Sequence, residues 1–137
     1  MELLLNQKSD INTSSIRRII NMKNESNQYN INENDKLTIK NALLSITNGP
    51  YIDDNEFKGL IQMNREQVKK LEQKWPDIKS NDLSSWRTVK LCLLNLLAYP
   101  HGKEEMLYKD LNINEEQLEQ LLNKVKLIVR DISLQEK

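Results

Sequence analysis

Apolar residues recur every three or four positions through most of this chain, and the pattern is laid down twice, fifty residues apart. In its first occurrence, Leu37, Ile39, Ala42, Leu43 and Ile46 form a helical stripe. Asn34-Asp35 offers an N-cap ahead of it, and Asn48-Gly49-Pro50 stops it. A short second helix opens at Asp53, with Glu56 placed to complete a capping box, and presents Phe57, Leu60 and Ile61. A third opens at Asn64 with Gln67 three positions on. Its apolar line Val68, Leu71, Trp75 ends at Pro76.

Thr38–Trp75 and Thr88–Val125 align without a gap, and ten of the 38 pairs are identical, among them Leu43/Leu93, Pro50/Pro100, Asn64/Asn114, Gln67/Gln117 and Leu71/Leu121. The chain therefore reads as one three-helix unit used twice. The first helix of the second unit, about Ser84 to Ala98, is apolar nearly all round, which predicts burial on most sides and a place at the centre. Tyr99-Pro100-His101-Gly102 breaks it. The last helix begins at Asn114, and its stripe Leu118, Leu121, Leu122, Val125, Ile128, Val129, Ile132 runs about two turns past the end of the repeat. Something must cover that extension. The short N-terminal helix of the same chain is preferred, which makes a monomer; the same helix of a second chain would make a homodimer.

That N-terminal helix is predicted after the cap run Asn12-Thr13-Ser14-Ser15, with Ile16, Ile19 and Ile20 on one side. An asparagine-rich connection from Asn24 to Asn34 follows it. The expected organisation is thus all-α: residues 1–36 as N-terminal helix and linker, 37–76 as the first helical repeat, and 84–134 as the second with its extended C-terminal helix. Trp75 and Trp86 flank the inter-repeat linker Pro76–Ser84 and are expected to pack the two units together.

Composition narrows the function more than it names it. The 137 residues carry 20 basic and 20 acidic side chains, a poor overall footprint for phosphate neutralisation. The single Cys92, in Leu91-Cys92-Leu93-Leu94, reads as a small buried hydrophobe and rules out an internal disulfide. The longest apolar run, Leu91 to Tyr99, is far short of the ~20 residues that cross a bilayer. Met1-Glu2-Leu3-Leu4-Leu5 has no secretory-signal character, so a cytoplasmic protein without membrane attachment is expected.

The link between second and third helix carries the most information. Gln62 stands at a turn position, Met63 follows as an apolar plug and Asn64 as a polar cap, with Val68 and Leu71 as core contacts. Asn112, Ile113, Asn114, Leu118 and Leu121 repeat the arrangement. The stretch from Phe57 to Leu71, and its second copy, resembles the helix-turn-helix superfamily. The resemblance implies that a helix ends at a left-handed turn residue, usually Gly, before a recognition helix. Asn112 suits such a turn, whereas Gln62 departs from the usual residue.

A helix so capped and anchored leaves its other face free for a major groove. In the first unit, Arg65, Lys69, Lys70, Gln73 and Lys74 are the candidate contacts to nucleic acid or another partner. Between Asn64 and Trp75, Arg65, Lys69, Lys70 and Lys74 oppose Glu66 and Glu72, for +2; between Asn114 and Val125, Lys124 opposes Glu115, Glu116 and Glu119, for −2. At most the first unit is suited to DNA. The function expected is a non-catalytic binding module contacting DNA through the first repeat. The alternative is a protein–protein interaction adaptor or inhibitor on the same fold. The lone His101 is read as a solvent-facing turn residue. Asp53-Asp54 and Glu104-Glu105 serve helix N-termini, and no catalytic residue, metal or cofactor is expected.

Overall fold

A computed structural model of the chain describes residues 31–135. Among them the structure is helical throughout, without strands: α1 (Glu33–Asn48), α2 (Asp54–Ile61), α3 (Arg65–Lys74), α4 (Leu83–Ala98), α5 (Glu104–Leu111) and α6 (Glu115–Gln135). The expected N-terminal helix, with Ile16, Ile19 and Ile20, lies outside the described residues. No helix among those described is long and apolar enough to cross a membrane.

Each of α4, α5 and α6 starts fifty residues after its counterpart α1, α2 or α3. From Asn32 onward the chain forms one compact unit. The packing interlocks the halves: α1 packs on α3 and α4 on α6, but α2 lies chiefly against α4, and α5 against α1. The short helix of each half thus contributes to the other half's core.

Local chemistry accounts for the helix ends. α1 is capped by Asn32 rather than by Asn34-Asp35. The Asn32 side chain accepts from the Asp35 N–H at 2.7 Å, and the Asp35 carboxylate accepts from the Asn32 N–H. Asp35 therefore closes the capping box instead of opening the helix. At the other end Gly49 has ordinary extended geometry, but a Cβ there would stand 2.5 Å from the Ser45 carbonyl oxygen and 2.7 Å from the Tyr51 ring. Close approach makes glycine necessary there.

Asp53 caps α2 without a side-chain hydrogen bond, so the expected Asp53–Glu56 box does not form. Glu56 instead accepts from the Tyr99 hydroxyl. α4 is capped by Asp82, whose carboxylate takes both the N–H and the hydroxyl of Ser85.

As its sequence predicts, α4 is central, with Trp86, Val89, Cys92, Leu93 and Leu96 all buried. Each such aliphatic side chain contributes about 1.5–3 kcal/mol of hydrophobic stabilisation. Burial also pushes the Cys92 thiol well above its ordinary pKa, leaving it protonated and inert. The buried line of α1 is Ile39, Ala42, Leu43 and Ile46. Leu37 is not part of it: it is 57% exposed, because α1's contacts with α3, α4 and α5 fall on its other faces. Trp75 and Trp86 meet edge to face at 5.5 Å, both buried, and join the halves as expected. The Trp75 indole donates to the Lys36 carbonyl at 2.9 Å; the Trp86 indole N–H has no partner among the described residues.

In the extension of α6, Ile128, Val129 and Ile132 are buried, no more than 6% exposed.

Candidate nucleic-acid interface

α2 ends where its carbonyls need a reversal. Gln62 provides it in the left-handed region (φ 66°, ψ 20°), its N–H donating to the Lys58 carbonyl at 2.8 Å. Asn112 does the same after α5 (φ 57°, ψ 37°). Met63 follows half-buried, its sulfur 3.2 Å from the Thr88 hydroxyl. Asn64 then opens α3 through a complete capping box: its side chain accepts from the Gln67 N–H at 2.8 Å, and Gln67 accepts from the Asn64 N–H at 2.9 Å. Asn114 and Gln117 build the same box on α6, at 2.7 and 2.9 Å. Each box is worth about 1 kcal/mol and fixes the direction in which its helix leaves the turn.

α3 is anchored by Val68 and Leu71 and closed by Trp75. At 100° per residue the opposite side is formed by Glu66, Lys69, Lys70, Gln73 and Lys74, all exposed. None of those three lysines is in an ion pair among the described residues. The structure thus brings four of the five sequence-predicted contacts together on one helix face.

Arg65 is not among them, which corrects the expected contact set. Its guanidinium turns back into the fold and donates to the carbonyls of Ile46 (2.9 Å), Thr47 (3.2 Å) and Ile52 (2.7 Å). It also pairs with Asp54 at 2.9 Å and lies 4.3 Å from the Phe57 ring centroid. Five donors in a rigid fork suit this role, and the carbonyls at the C-terminal end of α1 attract the cation.

The corresponding carbonyl in the second half, that of Leu96, is held by His101 instead. Its Nε2 lies 2.9 Å from that oxygen, while the Lys103 N–H donates to Nδ1 at 2.9 Å. These two partners require the neutral Nε2–H tautomer. His101 is thus a fastening of the turn and not the solvent-facing residue expected. Sequence offered no signal for the Arg65 fastening, whose carbonyls lie 13 to 19 residues away, whereas His101 reaches only Leu96, five residues back, and Lys103, two residues on, once the turn after α4 closes.

Over the first turns of α6 the outer face has the opposite sign, with Glu116 and Glu119 exposed. Lys124, the basic residue on this stretch, is bound to Asp35 of α1 at 3.0 Å. α3 is tied to α1 by a different pair, Lys40 with Glu72 at 3.1 Å, which leaves the outer α3 lysines uninvolved. Among the described residues no cluster of His, Cys, Asp and Glu could hold a metal ion.

Comparison with known proteins returns no relatives: no family model, no curated protein and no solved structure matches this chain.

Proposed function

We propose that the protein is a non-catalytic DNA-binding module that uses α3 as its contact helix. The observation that carries the reading is the exposed outer face of α3, where Lys69, Lys70 and Lys74, in no ion pair among the described residues, outweigh Glu66 beside Gln73, on a helix that leaves a left-handed turn through a capping box. Lysines at these positions suit phosphate oxygens, and the Gln73 amide suits an adenine edge. With Glu116 and Glu119 on their outer face, the first turns of α6, the counterpart of α3, would be repelled by the same backbone.

A mobility-shift titration at low salt tests this. Lys69→Glu with Lys70→Glu should weaken binding and flatten its salt dependence by about one counterion per lost contact. Reversing Glu116 and Glu119 to Lys should not abolish binding. A wild-type protein that shifts no duplex overturns the proposal.

One observation favours the second reading, a protein-interaction adaptor. Leu37 and Leu44 are 57% and 44% exposed and lie two turns apart on one side of α1. Under that reading, Leu37→Ser with Leu44→Ser would abolish partner capture while the α3 lysine variants left it intact.

A further inference from the structure

The turn that precedes α3 is not bordered by its own half alone. Gln62 and Met63 form one wall of a shallow groove whose other wall is the start of α4, with Ser84, Arg87, Thr88 and Leu91. Arg87 is exposed, is in no ion pair among the described residues, and is the only charged side chain lining this groove. The Thr88 hydroxyl is already engaged with the Ser84 carbonyl and the Met63 sulfur. Arg87 is therefore a free guanidinium beside the turn that delivers the N-terminal end of α3.

The related groove in the other half sharpens the point. There Asn112 and Ile113 face the start of α1, and the position corresponding to Arg87 is Leu37. Two unconnected positions thus change together. Where the outer helix face is basic, the adjoining groove carries the unpaired cation Arg87; where it is acidic, Leu37 takes that position and the groove's charged residues, Asp35 and Lys124, are bound to each other at 3.0 Å. Neither packing nor helix propensity couples a residue of α4 to the sign of α3's outer face, whereas a shared polyanion would.

We infer that Arg87 is a phosphate contact beside the turn that delivers α3. The inference rests on the DNA-binding reading above. A helix lying in a groove needs backbone contacts to either side of it, and neighbouring elements commonly provide them. The α3 lysines occupy the helix's own face, and Arg87 adds a contact from a different helix, which fixes the approach of α3 and not just its affinity. Its planar fork can engage two oxygens of one phosphate.

The test is a titration of the full chain against a short random-sequence duplex at several salt concentrations. Arg87→Gln should lower the log–log salt slope by about one and weaken binding by about tenfold at low salt. Arg87→Lys should retain the slope, and neither change should alter the urea midpoint. Wild-type binding with an Arg87→Gln variant of unchanged slope and affinity overturns this inference and leaves the α3 face standing. A wild-type chain that binds no duplex removes both.

Discussion

Tyr51 and His101, fifty positions apart in the chain, meet edge to face with ring centroids 5.1 Å apart. Residues related by the repeat offset touch only where the two halves come together about a common line. The α1–α4 contact and the reciprocal seating of α2 on α4 and α5 on α1 belong to the same arrangement. The Tyr51 hydroxyl extends the join by donating to Asp110 at 2.8 Å. Neither half should therefore fold alone. Residues 32–76 as an isolated peptide should show little helix by circular dichroism, and mixing with residues 77–137 should restore it. A fully helical, cooperatively melting 32–76 peptide would contradict this.

Arg65 should matter for stability more than for ligand. Arg65→Ala removes hydrogen bonds to three carbonyls, and should cost about 2–3 kcal/mol in urea unfolding. Arg65→Lys should recover only a small part, because an ammonium cannot reproduce the fork over Phe57. Once both proteins are folded, the salt slope of DNA binding should be the same for Arg65→Ala as for wild type.

The two tryptophans offer a matched pair. Trp75→Phe and Trp86→Phe remove the same atoms from one edge-to-face contact, but only Trp75 loses a hydrogen bond, to the Lys36 carbonyl. Trp75→Phe should be the more destabilising by about 1 kcal/mol. Equal unfolding midpoints would show that the Lys36 bond adds nothing.

The left-handed turns predict an asymmetric response to glycine. Gln62→Gly relieves a side chain held at φ 66° and should stabilise the chain by about 0.5–1 kcal/mol. Asn112→Gly should gain less, since asparagine tolerates that region better. The order of the two thermal shifts is the quantity to measure.

Three tyrosines predict the behaviour at high pH. Burial, then the bond to Asp110, raises the Tyr51 hydroxyl; burial, then Glu115 and Glu104, raises that of Tyr108. The bond to Glu56 leads in pushing Tyr99 up to about 12. An unfolded tyrosine titrates near pH 10, so above that value the unfolded chain releases protons first. The tyrosine contribution to stability is then complete below about pH 10 and falls as pH rises toward the folded values. Ultraviolet titration of tyrosinate should begin at higher pH in the folded chain than in urea. Coincident curves would show that these hydroxyls are not held.

Much of this was legible in one dimension. Spacing of apolar residues located α1 to α6, because a helix buries a stripe wherever its period allows. The Asn64–Gln67 and Asn114–Gln117 boxes were equally readable, since all the atoms involved lie within three residues of one another. So was the outer face of α3, once Val68 and Leu71 had fixed which side faces in. What only the tertiary structure decided is which backbone groups and neighbours a side chain meets once the turns have closed and the helices have packed. Arg65 reads as a free cation until the end of α1 presents its carbonyls. His101 reads as a surface turn until Leu96 and Lys103 hold both its nitrogens. Leu37 reads as core until α3, α4 and α5 settle on other faces of α1. A hydrophobic period states that a helix has an inner face, but which neighbour meets it, and which charges that meeting consumes, depends on how two halves of nearly equal pattern interlock.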